Sequence, residues 1–263
     1  MNIWQAIVLG AVQGFTEFLP VSSSGHLILA RRWFGIRTAG GLFFDVTLHL
    51  GTIIPIIVIY FGKIKGIVKK PFPTVLFLII ASVPAAVTGF LFQDGIETAF
   101  MGEGVFSVAL LSITFLLTAA ELFVITVLSK NSRRTLPLTA KSSLIMGIFQ
   151  GFAVIPGLSR SGTTLTGGAV MRLDRTENAD FAFLMSIPVI LGAAAVSGVK
   201  AVKTGAEIAP VPILFGVTTA AVTGYMAINV TLKAVKRGRL NGFSYYLIAI
   251  AAASVLTKVI FGV

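Results

Sequence analysis

The sequence predicts an all-α polytopic membrane protein, with six full transmembrane helices and two re-entrant helical hairpins in an inverted-topology repeat. Three observations predict it. Of 263 residues, 56% are hydrophobic and 12% charged, with a mean hydropathy of +0.94; a soluble domain carries roughly 25% charge. Long apolar runs alternate with charged or Pro/Gly-rich breaks. Two of these runs are interrupted by polar tips that match one another. This composition excludes a soluble globular domain, a disordered chain and a basic nucleic-acid-binding surface, so no nucleic-acid partner is expected. The absence of cysteine excludes disulfides, thiolate metal sites and cysteine nucleophiles.

The first run, 3–33, is broken at Leu19-Pro20-Val21-Ser22-Ser23-Ser24-Gly25 and reads as two short helices around a tip. Its first basic residue is Arg31, so it lacks the charged start of a signal peptide and is expected to stay in the mature protein. Spans follow near 41–61, 74–92 and 105–128, each long enough to cross a bilayer at about 20 residues and 1.5 Å per residue. The second interrupted run, 142–171, breaks at Ile155-Pro156-Gly157-Leu158-Ser159-Arg160-Ser161-Gly162, and spans near 181–199, 211–232 and 243–261 complete the chain. Non-helical backbone at membrane depth must be covered by protein or water, which implies that both tips line one cavity.

The interrupted runs align without a gap at an offset of 137, which places Gly10, Gln13, Gly14, Phe15, Ser22, Ser24 and Gly25 on Gly147, Gln150, Gly151, Phe152, Ser159, Ser161 and Gly162. Ala85-Ala-Val-Thr-Gly89 recurs as Ala220-Ala-Val-Thr-Gly224. We read a single membrane domain over 1–263, made of internal repeats of about 1–137 and 138–263. A hairpin plus three spans is an odd number of crossings, so the halves are expected to be inverted. The net charge of +11 divides accordingly: loops 62–73, 129–141, 172–180 and 233–241 hold 14 of the 21 basic residues. Positive loops face the cytoplasm, which puts both termini outside. Arg31, Arg32 and Arg37 break that pattern, and we expect them beside an outward-facing entrance that attracts an anionic head group.

Ionisable groups at membrane depth are costly and are functional candidates. They are Glu17, His26, Asp45, His49, Glu121 and Arg160. Gln13 and Glu17, four apart, share one helical face. Ser22, Ser23, Ser24 and Gly25 open the next short helix, whose hydroxyls and free N–H groups suit an anion; the alternative is a simple cap beside a hydrogen-bonded His26. Arg160 forks onto phosphate oxygens and needs a negative partner, for which Glu17 is a candidate. Ser159, Ser161, Thr163 and Thr164 crowd donors around it. The set suits phosphoryl transfer on a polyanion, with His26 a proton carrier near neutral pH. A divalent cation would be held by Glu17 and Gln13 with substrate oxygens and water, a mode that fits Mg²⁺ or Ca²⁺. His49 reads as a packed helix histidine, Glu121 as paired within the bundle or near its interface, and Asp45 as structural or supporting. Glycines in the spans, including the Ala-Val-Thr-Gly repeats, read as close-packing positions.

At Gln13-Gly-Phe-Thr-Glu17-Phe-Leu-Pro-Val-Ser-Ser-Ser-Gly-His26 and Pro156-Gly-Leu-Ser-Arg-Ser-Gly-Thr-Thr164 the chain resembles the undecaprenyl pyrophosphate phosphatase family of the bacitracin-resistance type. The resemblance implies hydrolysis of undecaprenyl diphosphate to the monophosphate carrier lipid of cell-wall synthesis, in a bacterial plasma membrane. The family's catalytic positions fall on Glu17, Ser23, His26 and Arg160. Gln13, Ser22, Ser24, Gly25, Ser159, Ser161, Gly162 and Thr164 are expected to bind substrate. Gln13 departs from members with glutamate there and leaves more of the base and metal work to Glu17. Attack by Ser23 and attack by water both remain open, with Ser23 preferred. The expected partners are a polyprenyl diphosphate and membrane lipids, and a homodimer is left open. Type-2 phosphatidic-acid phosphatases are excluded, because the chain has no Arg-Pro dipeptide and no histidine beyond His49. The rival from another class is a transporter of an anionic lipid or small anion built on the same inverted repeat.

Overall fold

The computed structural model describes residues 1–36, 41–69, 73–102, 104–131, 135–204 and 210–262. They form α1 (Ile3–Phe18), α2 (Ser23–Trp33), α3 (Gly41–Lys69), α4 (Thr74–Met101), α5 (Val105–Asn131), α6 (Ala140–Phe152), α7 (Arg160–Val170), α8 (Arg175–Thr204), α9 (Pro210–Arg237) and α10 (Asn241–Phe261). Among the described residues the one β-type pairing is an isolated bridge between Leu136 and Leu173. The six long helices carry apolar stretches of 19 to 28 residues, which meets the length a bilayer imposes. They coincide with the runs read from the sequence. Helices α1, α2, α6 and α7 have 16, 11, 13 and 11 residues. At 1.5 Å per residue each is about 17–24 Å long, less than the roughly 30 Å of a hydrocarbon core.

The short helices stop and start for local reasons. Pro20 disfavours helical backbone at the residue before it, and Leu19 is extended there (φ −64°, ψ 139°). Asn2 with Gln5 and Thr139 with Ser142 form reciprocal capping boxes that start α1 and α6. Ser22 and Ser159 cap α2 and α7, accepting from the N–H groups of Gly25 and Gly162.

The molecule buries polar side chains among an apolar core and exposes large apolar ones on its surface. Gln13, Thr52, Thr118, Ser143 and Thr164 are fully buried, whereas Phe90 is 90% and Val259 77% exposed. Lipid, not water, is the solvent such a surface fits. Close helix contact relies on glycine. A Cβ on Gly10 would strike the carbonyl of Gly216 across the α1–α9 interface, and one on Gly147 would strike the backbone of Ala81 across α6–α4. Positions that align in the two repeats thus make the same contact, each between a short helix of one half and a long helix of the other. Of the Ala-Val-Thr-Gly pair only Gly224 packs, against Phe18 and Pro55; Gly89 faces open space. The packing expectation therefore holds for one of the two.

The short-helix tips meet beside α5. Ser22 Oγ accepts from Gly157 N–H at 3.1 Å, and Ser161 Oγ donates to the Leu19 carbonyl at 3.2 Å. Thr118 accepts from Ser159 N–H and donates to the Gly157 carbonyl. It lies near the middle of the apolar stretch Val105–Leu128. Gly157 has φ +91°, and Thr114 occupies the place its Cβ would take. No other residue type fits that turn.

Candidate active site

Four helices contribute to one cluster around Glu17. From one face of α1, Gln13 Nε2 donates to Glu17 Oε2 at 2.8 Å. From the first residue of α2, Ser23 Oγ donates to the same oxygen at 2.6 Å. From the first residue of α7, Arg160 forms an ion pair with Glu17 Oε1. From α3, His49 Nδ1 lies 3.1 Å from Glu17 Oε2 and 2.8 Å from Gln13 Nε2. The Glu17 side chain is 2% exposed. A carboxylate buried to that degree is sustained only by opposite charge and full hydrogen bonding, and here Arg160 supplies the charge.

The two anionic-site features anticipated from the sequence, helix N-termini and a paired arginine, come together here. Both α2 and α7 begin at the cluster, so their positive dipole ends converge on it. Ser22 holds a left-handed backbone (φ 71°, ψ 98°), which costs a non-glycine residue about 1–3 kcal/mol and is kept only where the surroundings enforce it. Its contacts to Gly157 and Gly25 do that.

Several of the residues expected to bind substrate also make structural contacts within the tips. Ser22 and Ser159 are buried caps, and the N–H groups of Gly25 and Gly162 are taken by those caps. Gly25 also packs against Phe115, where a side chain would not fit. Ser161 bonds to Ser159 and Leu19. Thr164 is fully buried and donates to the carbonyls of Arg160 and Ser161. These six therefore build the tips, whereas Ser24 is half-buried with one long contact, 3.4 Å, to Ser22 Oγ.

His26 is buried between Ser22 and Tyr246. Its Nδ1 is 2.7 Å from the Ser22 carbonyl and its Nε2 2.8 Å from Tyr246 Oη. A carbonyl only accepts, so Nδ1 carries a proton, and Nε2 shares a hydrogen bond with Tyr246 Oη. Neither nitrogen addresses Ser23 or Glu17. The hydrogen-bonded histidine of the sequence reading is the arrangement found.

His49 is the residue that sequence reasoning missed. It was read as packing, yet it touches both Gln13 and Glu17. The available signal was that an ionisable group lies within a span; nothing in the pattern linked α3 to α1. One turn before it, Asp45 pairs with Arg31 at 2.5 Å. Arg32 donates to the carbonyls of Phe100 and Gly102 at the end of α4 and to Ser107, a cation placed where a helix dipole favours one. Both arginines are thus engaged in holding α2 to α3 and to the α4–α5 corner. Arg37 lies outside the described residues. Glu121 was expected to be paired, but its Oε2 is buried with no hydrogen-bond partner among the described residues.

The fit of a divalent cation turns on oxygen ligands. Among the described residues no three His, Cys, Asp or Glu side chains gather into a site. Gln13 Oε1, however, is buried without a partner beside the Glu17 carboxylate. One carboxylate and one amide oxygen suit a Mg²⁺ or Ca²⁺ ion whose other ligands come from substrate phosphates and water.

Comparison with known proteins gives a consistent picture. The family model described as "Bacitracin resistance protein BacA" matches residues 6–253. A protein of Carboxydothermus hydrogenoformans named undecaprenyl-diphosphatase is 40% identical over 252 residues, covering 94% of each chain. One from Methanosphaera stadtmanae with the same name is 34% identical over 99% of each chain. Undecaprenyl-diphosphatase 3 of Bacillus cereus is 37% identical over 94% of each.

Proposed function

The chain belongs to the bacitracin resistance protein BacA family, and from that membership we propose that it is a multi-pass membrane phosphatase. It removes the terminal phosphate of undecaprenyl diphosphate, leaving the monophosphate carrier lipid used in cell-wall synthesis. The observation that carries the reading is Ser23 Oγ donating at 2.6 Å to a carboxylate whose other oxygen holds Arg160. A hydroxyl and a guanidinium thereby meet on one carboxylate at the converging ends of two helices, which supports their roles as nucleophile, phosphate-binding cation and base.

In the proposed mechanism Arg160 shifts from Glu17 to the oxygens of the terminal phosphate, where its fork stabilises the charge that spreads in the transition state. Ser23 Oγ attacks phosphorus, the bond to the bridging oxygen breaks, and Glu17 takes the hydroxyl proton. The prenyl monophosphate leaves without needing a proton, because a phosphate monoester's second pKa is about 6. Once Glu17 has lost its proton to water, it draws another from a water that attacks the phosphoserine. That proton returns to Ser23 as the Oγ–P bond breaks. His49 and Gln13 fix the Glu17 carboxylate, and His26 ties the start of α2 to α10. A divalent cation held by Glu17 and Gln13 would neutralise diphosphate charge.

The aligned glycine contacts of α1–α9 and α6–α4 support the reading of one domain built from two inverted repeats. The loop charges support placing the protein in a plasma membrane with the site opening away from the cytoplasm. Phosphate release from a C55 or shorter prenyl diphosphate by the purified protein in detergent tests the function. No release with Mg²⁺ or Ca²⁺ supplied overturns it. Ser23→Ala should lower kcat by about 10³-fold or more, and a variant keeping most of the activity would assign the attack to water.

A further inference from the structure

A lipid diphosphate has a second half, and its path out of the site must stay in apolar surroundings. Three of the interfaces around the tips are closed by direct contact. Gly10 abuts Gly216 between α1 and α9, Gly147 abuts Ala81 between α6 and α4, and Ser112 bonds Ser254 at 2.7 Å between α5 and α10. Between α4 and α5 there is instead a cavity of about 480 Å³, within the roughly 300–1,000 Å³ range of small-ligand pockets.

Its walls are one face of each helix. Leu91 and Phe92, Gly95 and Ile96, and Ala99 and Phe100 recur every four residues on α4, opposite Leu110 and Thr114 on α5. The α4 face spans about 14 Å at 1.5 Å per residue. Ile155 also lines the cavity, in the turn that continues through Pro156 and Gly157 to Arg160. Thr114 forms part of the wall and also touches Gly157, whose N–H is bonded to Ser22. The cavity therefore lies against the back of the tip that carries the arginine. It is bounded by apolar side chains apart from Thr114, and Leu91 and Phe92 are exposed at its lipid-facing edge.

We propose that the α4–α5 cleft binds the second and third isoprene units of the prenyl tail while the diphosphate lies at Glu17, Ser23 and Arg160. This rests on the phosphatase reading above. The cleft is too small for a whole C55 chain, so the remaining tail lies in the bilayer. The enzyme should then discriminate on these isoprenes and be indifferent to length beyond them.

The test fills the cleft. Gly95 lines it, and a Cβ there meets open space, so Gly95→Phe places a ring in the cavity without a backbone clash. Ala99→Phe is the second filling variant, and Gly89→Phe, on α4 outside the cavity with equally open surroundings, is the control. With purified full-length protein, kcat/KM is measured for C15 and C5 prenyl diphosphates. Both filling variants should lose about tenfold on the C15 substrate, equivalent to about two methylene groups leaving an apolar site. They should change by less than about twofold on C5, and Gly89→Phe should change neither. Equal losses on both substrates, or no loss on either, would overturn the proposal and leave the cleft to an ordinary bilayer lipid. Wild-type protein that hydrolyses neither substrate would refute the phosphatase reading itself, a result separable from the others.

Discussion

Replacing Arg160 separates a structural ion pair from a working one. Glu17 is 2% exposed and Arg160 20%, so removing the guanidinium alone strands a buried carboxylate. Breaking such a pair costs about 3–5 kcal/mol, and Arg160→Met should accordingly lower the detergent melting temperature or fail to fold. The informative variant is Arg160→Met with Glu17→Gln. That pair carries no charge, keeps the amide within reach of Ser23 and Gln13, and should recover most of the lost stability, since exchanging a buried pair for neutral groups is often neutral or stabilising. Its activity should nonetheless be absent. The loss combines about 10³–10⁵-fold from the transition-state arginine with about 10²–10⁴-fold from the base, and the two need not multiply. Arg160→Lys adds a third point, because it keeps the charge but loses the fork; it should fold like wild type and lose at least about 100-fold in kcat. Thermal stability and phosphate release from a C15 prenyl diphosphate are measured on the same preparations. A double variant or an Arg160→Lys protein with more than about a tenth of wild-type turnover would refute the assignment of Arg160 to phosphate.

Four further outcomes follow from local contacts and packing. Gln13→Glu places a second carboxylate against Glu17 Oε2, 2.8 Å from the present amide nitrogen; like charges so close cannot both ionise without a cation. The variant should therefore bind Mg²⁺ or Ca²⁺ more tightly than wild type, and chelation should lower its melting temperature but leave wild type little changed. His49→Leu should reduce kcat/KM by about 10–100-fold, the range for losing a partner that orients a site carboxylate, and an unchanged value would return His49 to a packing role. Gly147→Ala, which meets the Ala81 backbone, should destabilise by about 1–3 kcal/mol. Gly192→Ala, in open space on α8, should stabilise by about 1 kcal/mol in the same thermal assay.

The six spans and the breaks at Pro20 and Pro156 were legible because bilayer thickness fixes helix length and proline restricts the residue before it. Glu17 and Arg160 were legible as partners because a charge at depth needs its opposite. Ser22 and Ser159 were harder, since a serine before a short helix reads equally as a cap or as a ligand. Only the hydrogen bonds to Gly25 and Gly162 decided for the cap.

By itself the sequence determined the class of solvent, the six long apolar helices and their order, the breaks between the short helices and the chemistry available at depth. Each of these depends on local composition or on spacing along one helix. The tertiary structure alone decided which long-range neighbours share the site. It brought His49 to Gln13 across 36 residues and turned His26 toward Tyr246 across 220. It also engaged Arg31 and Arg32 in holding α2 and opened the cleft between α4 and α5. Those outcomes depend on how close two helices approach, and glycine against backbone sets that distance at α1–α9 and α6–α4. Such complementarity belongs to pairs of surfaces, and neither helix encodes it alone.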